Sequence, residues 1–474
     1  MTVANARNRD VVHNARSPGP TPQPKAARRE PGSPIKIGLF GKYGAANIGN
    51  DASIEAMVNY LSTYEPDVLI DAMCTGPEAI KARFNIDAVA LQWSHLGELP
   101  GSRATAAARK SIGLVIDAVR VASWARRHDA VLIPGTGVLE ASLPIVPRSF
   151  PYYMLFLCTA GRLFRTKVAL VDVGAGAVSQ RAVRWAYDWV IRLSTYRSYR
   201  DEASRESLRQ RGLDVASDPV YPDLAFALPA PAIGPGDPQT VGVGVMDYRG
   251  NNDERRRGEQ LRASYLAEMK RFVRWLVDGG RNVHLFIGDA NGSDDEVVRE
   301  ILVDVRVHHP RLDPSRVVAV PVTSFSDLMR AVSDVGSVVA VRYHNVLCAL
   351  KLSKPTISIS YSTKHDALMA DMGVPEFCHA VATLDSTRLV RQFEELERRS
   401  GELRRILADS NAVKSRLVEG QFAELSRELF PASCHAPGGS AAELTAHRLA
   451  AQNAVPAKDG AAVPEGPTEG AADG

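Results

Sequence analysis

Cysteine is scarce and scattered in this 474-residue chain. The five, Cys74, Cys158, Cys348, Cys378 and Cys434, form no Cys-x-x-Cys pair and have no histidine at metal-ligand spacing. That excludes a disulfide framework and a structural zinc site, and it points to a reducing compartment. No apolar run reaches the roughly eighteen residues of a membrane span. Residues 1–34 lack the apolar segment of a signal peptide, so a cytoplasmic protein is expected. Excess charge of one sign is missing as well: 57 Lys and Arg against 54 Asp and Glu leave +3, which gives no footprint for a nucleic-acid partner.

What is present is an ordinary globular composition, 45% hydrophobic and 23% charged, over a length sufficient for two or three domains. Both ends are rich in Pro, Gly and Ala and poor in large apolar groups, so residues 1–34 and 433–474 are expected to be unstructured tails. Between them, apolar β-branched runs alternate with segments of helical spacing. Strands are expected from Ile35, Val68, Ala130, Lys167 and Arg197, and again from Thr240, Asn282, Arg316, Gly336 and Thr356. The segment Leu228-Pro-Ala-Pro-Ala-Ile-Gly-Pro-Gly-Asp-Pro238 tolerates neither helix nor central strand. The fold class is therefore α/β: two doubly wound parallel-sheet domains, 35–230 and 240–432, joined by a linker at 231–239 and facing each other across a cleft.

Chemistry concentrates where strands give way to helices. Val341-Arg-Tyr-His344 puts a guanidinium and an imidazole two residues apart at such a junction, and Tyr361-Ser-Thr-Lys364 follows the next strand. Adjacent strands would thus set Arg342, His344, Tyr361 and Lys364 on one rim, a cationic pocket suited to a small dianion. Taken singly, each is as well read as a surface ion-pair partner or a core-edge polar group.

In the first half, Gly41-Lys-Tyr-Gly-Ala-Ala-Asn-Ile-Gly-Asn-Asp51 links a strand to a helix, a setting in which free amides hold anions. It has neither the P-loop ending nor the Rossmann spacing, which disfavours a nucleoside triphosphate or NAD. Tyr43, Gly44, Asn47 and Gly49 are its candidate site residues; the structural reading makes it a tight turn with an asparagine cap. Pro134-Gly-Thr-Gly137, with Gly135 and Gly137, and Gly174-Ala-Gly176 repeat the pattern at two more strand ends. Arg200, before the cap Asp201, points toward the same cleft, where Asp223 could order an arginine.

The Gly41 loop, the turn at Gly135, Arg200-Asp-Glu-Ala-Ser204, Asp223 and Arg342-Tyr-His344 with Tyr361-Ser-Thr-Lys364 together resemble the polysaccharide pyruvyl transferase family over about residues 35–375. The resemblance implies a fold similar to GT-B glycosyltransferases. It also implies transfer of pyruvate from phosphoenolpyruvate onto two hydroxyls of a sugar as a ketal, as in exopolysaccharide biosynthesis for the cell envelope. His344 and Arg342 would be catalytic. Arg200, Arg342, His344, Tyr361 and Lys364 would bind the donor, and the glycine-rich half would face a sugar or lipid-linked glycan acceptor. No metal and no cofactor beyond phosphoenolpyruvate as donor substrate are implied. The chain departs from the family's usual Asn-x-Gly-Asp in having Asn50 before Asp51, and from its three glycines in having Pro134-Gly-Thr-Gly137.

Two other functions fit the same architecture. A nucleotide-sugar-dependent GT-B glycosyltransferase would carry an acid near the Arg-x-His element, and the turns after both strands supply none before Asp366. A non-catalytic component of a polysaccharide assembly complex would draw on Arg103 to Arg127. That segment reads first as an amphipathic helix covering the sheet, and second as one in peripheral contact with the anionic inner membrane surface.

Overall fold

The computed structural model describes residues 34–45, 47–93, 103–140, 149–231, 234–250, 257–289 and 293–430. Residues 1–33 and 431–474, where most of the two tails were expected, lie outside them. The chain divides into two compact units, 1–423 and 424–474. The second is described only over 424–430, which carry the end of the last helix.

Within the first unit, strands β1 (Lys36–Gly41), β2 (Leu69–Cys74), β3 (Asp87–Ala90), β4 (Ala130–Pro134), β5 (Lys167–Val173) and β6 (Tyr196–Tyr199) form one sheet in the order β3-β2-β1-β4-β5-β6. Strands β7 (Asp237–Gly244), β8 (Asn282–Phe286), β9 (Val317–Ala319), β10 (Val335–Ala340), β11 (Thr356–Ser360) and β12 (Cys378–Ala380) form a second, β12-β11-β10-β7-β8-β9. Every pairing is parallel. The central strands β4 and β10 are buried at every residue, as Val- and Ile-rich strands covered by helices on both faces must be. The two sheets share one winding order, so each has a switch point where the order reverses: β1/β4 in the first, β7/β10 in the second.

Helices α1 (Ile48–Tyr64), α2 (Pro77–Phe84), α3 (Arg103–Ala125), α4 (Phe150–Phe164), α5 (Arg181–Leu193) and α6 (Glu202–Gln210) surround the first sheet. Around the second run α7 (Gly258–Asp278), α8 (Ser293–His308), α9 (Phe325–Ser333), α10 (Tyr343–Lys351), α11 (Thr363–Asp371), α12 (Ser386–Arg398) and α13 (Ser400–Leu429). Their starts follow local chemistry: Asn47, Asp201, Ser324 and Asp385 each accept a first-turn amide. Helix α13 returns to the first sheet, where the Tyr60 hydroxyl donates to the Phe422 carbonyl (3.0 Å) and Gln421 donates to Ser198 (3.1 Å). The elements absent from the sequence reading, β3, α2, α11 and β12, are short, and β3 and β12 are the edge strands that fold stability asks least of.

Candidate functional site

His344 stands at the second switch point. Strand β10 ends at Ala340, Arg342 takes the extended conformation of a helix cap, and α10 begins one residue before the imidazole. The ring packs against the backbone of α1: a β-carbon on Gly49 would lie 1.9 Å from Nδ1 of His344. Its other nitrogen, Nε2, is 3.8 Å from Oδ2 of Asp223, whose second oxygen accepts from the Ala225 amide at the start of the 3-10 turn Leu224–Ala227. Burial pulls the imidazole down to about 4; Asp223 opposes this, while Arg200 and Lys364 add to it. The ring is therefore neutral at neutral pH while the site is empty of anions.

Arg200 arrives from the first half, immediately after β6. Its guanidinium rests where a side chain on Gly174 would be, 2.5 Å from Nη2 to the β-carbon position, and lies 5.3 Å from the centre of the Tyr343 ring. Burial works against its charge, but Tyr343, Glu140, Asp223 and Asp201 hold it above the ordinary arginine value. Nη2 donates to one oxygen of Glu140 (3.1 Å), and Lys364, in the first turn of α11, donates to the other. Glu140 thereby ties a cation of each half together. Neither α10 nor α11 has a side-chain cap, so the dipoles of both helix starts add to the positive potential.

A cavity of about 320 Å³ opens between these groups, walled by Arg200, Tyr221, Asp223, Tyr343 and Lys364. His344 is not in its wall, but Tyr343, which precedes it, and Asp223, which contacts it, both are.

The remaining expected residues fall into two groups. Gly49 and Gly137 belong to the convergence: Gly137 gives Glu140 its space, its β-carbon position being 2.8 Å from the carboxylate. Asn47 caps α1 and bridges in antiparallel fashion to Asp289 of the second half. Tyr361, 39% exposed, packs its ring 4.6 Å from that of His365 and lies within electrostatic reach of Arg342 and Arg200. Three expectations need correction. Arg342 offers no open fork: Nε and Nη2 both donate to Asp294 (2.9 and 2.8 Å), a fully buried carboxylate in the first turn of α8. Tyr43 does not face a ligand, because it is buried with its hydroxyl on the Pro134 carbonyl (2.8 Å). Gly44 and Gly135, at φ 72° and 61°, pack on Gly76 and Ser53 and shape the loops rather than line the cavity.

No acid was expected in the turns beside the Arg-x-His element before Asp366, yet the fold brings Asp294 to Arg342, and Asp223, expected to order an arginine, to His344, from 48 and 121 positions earlier (342 − 294, 344 − 223). Glu140 was missed altogether; its signal was its place three residues after Gly137. Asp172 was missed too. It is the penultimate residue of β5, at φ 59° and fully buried, with Oδ2 accepting from the Leu224 amide (2.9 Å) and Oδ1 unpartnered. Burial first and Asp223 second push its carboxyl well above the usual range, against Arg200. Among the described residues, no three or more His, Cys, Asp or Glu cluster as a metal site would require.

Comparisons with known proteins agree with this architecture. The chain is similar to Staphylococcus aureus MnaA in a co-structure with UDP (12% identity, TM-score 0.53, 86% of this chain and 100% of that one). It is also similar to UDP-GlcNAc 2-epimerase from Neisseria meningitidis bound to UDP-GlcNAc (11%, TM-score 0.50, 82% and 100%). The N-terminal domain of Candida albicans trehalose-6-phosphate phosphatase gives 9% identity and TM-score 0.52 over 85% of this chain and 97% of that one. At such identities these likenesses carry the fold alone, a GT-B-like pair of doubly wound sheets. No curated protein matches. The model of the family described as polysaccharide pyruvyl transferase, however, matches residues 47–363, a span that holds Gly49, Glu140, Arg200, Asp223 and His344, and the chain is a member of that family.

Proposed function

We propose that this protein transfers the pyruvyl group of phosphoenolpyruvate to two hydroxyls of a sugar, in a polysaccharide or its lipid-linked precursor, and forms a ketal. The observation that carries the reading is the meeting of Arg200 and Lys364 with His344 beside one cavity. Phosphoenolpyruvate carries a carboxylate and a phosphate on three carbons, and two cations with two uncapped helix starts match those charges. Arg342, held by Asp294, would fix the start of α10 and keep His344 in place.

The chemistry balances as follows. The methylene carbon of the enol takes one proton, which leaves positive charge on the central carbon. A sugar hydroxyl adds there and loses its proton. Phosphate departs with the electrons of its C–O bond, and the second hydroxyl closes the ring. Of the two hydroxyl protons, one replaces that given to the methylene carbon and the other leaves on phosphate. The neutral His344 of the empty site becomes a proton donor when a dianion offsets Arg200 and Lys364, and Asp223 stabilises the resulting imidazolium.

The test is turnover of phosphoenolpyruvate with a panel of glycan fragments, followed by release of phosphate and appearance of a ketal methyl resonance on the sugar. Thermal shifts with phosphoenolpyruvate and with UDP-sugars separate the donors, since only a bound donor stabilises the fold by mass action. Stabilisation by a UDP-sugar and none by phosphoenolpyruvate would overturn the proposal.

A further inference from the structure

The helix layer α3–α4–α5, in which α3 packs on α4 and α4 on α5, has an outer surface that the donor site does not explain. Large apolar side chains stand in solvent on it: Leu163 is 73% exposed, Val115 64%, Val119 60% and Trp185 57%, with Trp189 and Phe164 beside them in sequence. On α3 and α5 these recur every three or four residues, so each helix presents them as a stripe. Around them are exposed arginines: Arg126 and Arg127 past the end of α3, Arg162 and Arg165 at the end of α4, Arg181 and Arg192 on α5. Among the described residues none of these six has a carboxylate within ion-pair distance, and Arg192 lies over the Trp189 ring, 6.0 Å from its centre.

The acids are missing by construction. The three helices contain two carboxylates, Asp117 and Asp188. Asp117 is fully buried and accepts from Tyr153 and Trp93, and Asp188 is paired with Arg211. Helix α7 of the second half is the opposite case, with Arg262, Lys270, Arg271 and Arg274 all paired with carboxylates. The α3–α5 layer thus carries unneutralised positive charge beside bare apolar surface.

We propose that this face docks on an anionic lipid bilayer, with Trp185, Trp189, Leu163 and Phe164 at the headgroup boundary and the arginines on lipid phosphates. Aliphatic groups such as Val115, Val119 and Leu163 gain nothing from a nucleic-acid backbone but do gain from an acyl boundary, and tryptophan prefers the interface between the two. The placement is compatible with catalysis. The ends of α3, α4 and α5, with Arg126, Arg127, Arg162, Leu163, Phe164, Arg165 and Arg192, precede the starts of β4, β5 and β6, so this part of the face lies at the opposite edge of the sheet from the strand ends that hold Gly137 and Arg200. The inference stands independently of the donor assignment.

The test is co-sedimentation of the full chain with vesicles of phosphatidylcholine alone and with added phosphatidylglycerol. Binding to the anionic vesicles only, weakened by salt, is expected. Trp185→Ser with Trp189→Ser, and separately Arg162→Glu with Arg165→Glu, lower the partition coefficient about tenfold or more while the unfolding temperature stays that of the wild type, since all four side chains are exposed. No binding to anionic vesicles, equal binding to both kinds, or indifference to both double variants overturns the proposal. So does a wild-type dimer that the tryptophan variant dissolves, which would assign the face to a second copy of the chain.

Discussion

The two sheets share one strand order but equip their carboxyl ends differently. After β10 and β11 the second half presents long side chains, Arg342, His344 and Lys364, whereas after β1, β4 and β5 the first half presents mostly glycine. The difference is one of fit: bare backbone on one side gives the ring of the other a place to lie, as Gly49 does for His344. Arg200 repeats the device within the first half, on Gly174. The halves differ accordingly: at these strand ends one brings mostly long side chains and the other mostly bare backbone, with Arg200 the exception.

The sharpest way to break that division is to give the surface a side chain. Gly49→Ala puts a β-carbon into the imidazole, yet alanine in a helix is favoured over glycine by about 1 kcal/mol, so the fold should survive while His344 is displaced. Steady-state assays should show a fall in kcat/KM of about a hundredfold or more, approaching the loss of 10² to 10⁴ expected of His344→Ala. A Gly49→Ala enzyme with wild-type rates would mean that His344 works from another position.

Acid separates the halves by a second route. His344 and His365 are both held at about 4, each by burial first; His365 has Nε2 on the Val341 carbonyl (2.9 Å) and Nδ1 near Ser362 (3.3 Å). In the unfolded chain each takes up a proton near 6.5, so between about 6.5 and 4 the unfolded state binds more protons than the folded one. Stability therefore falls as pH falls through that window, and the loss levels off below about 4. The penalty reaches roughly 3 kcal/mol per histidine at pH 4. Urea midpoints measured across the window should show it, and His344→Asn should flatten the curve by about half. Equal slopes for the two proteins would show that His344 is not buried neutral.

Much of this was legible in the sequence, for a physical reason. Strands buried on both faces write themselves as β-branched runs, and the turns after them as glycines, so the fold class and the strand ends at which His344, Arg200 and Lys364 stand could be read locally. Carboxylate partners could not. Glu140 and Asp294 reach the site through sheet topology rather than spacing; Asp223 was in view, but as a partner for an arginine rather than for His344, and Arg342 seemed available for a ligand only because Asp294 was out of sight. Tyr43 misled in the opposite way: a loop tyrosine between glycines reads as exposed, but the room Gly41 leaves lets its ring turn inward onto Pro134.

Glu140 sharpens the comparison, as an acid of the bare half that ties together a cation of each half. In the empty site it occupies Arg200 and Lys364, the cations a dianionic donor needs. Glu140→Gln removes that competitor, so KM for phosphoenolpyruvate should fall several-fold, about 1 kcal/mol, without a rise in kcat. A raised KM would instead identify Glu140 as the group that holds both cations in place.

The smallest effect is expected at Asp172. Its carboxyl is pushed well above the usual range by burial and by Asp223, and an amide of the same shape keeps the acceptor oxygen without the charge that burial disfavours. Asn also tolerates the left-handed conformation that φ 59° demands, better than most residues do. Asp172→Asn should hold stability to within about 1 kcal/mol, because its side-chain oxygen still accepts from the Leu224 amide. Asp172→Ala leaves that buried amide unpaired and should cost about 1 to 3 kcal/mol. Since Leu224 directly follows Asp223, the alanine variant should also raise the mobility of the carboxylate that faces His344, lowering kcat more than it alters donor KM. If Asn and Ala behave alike in denaturation and in kcat, the acceptor role of Asp172 is refuted, and the turn that carries Asp223 is held by its own backbone.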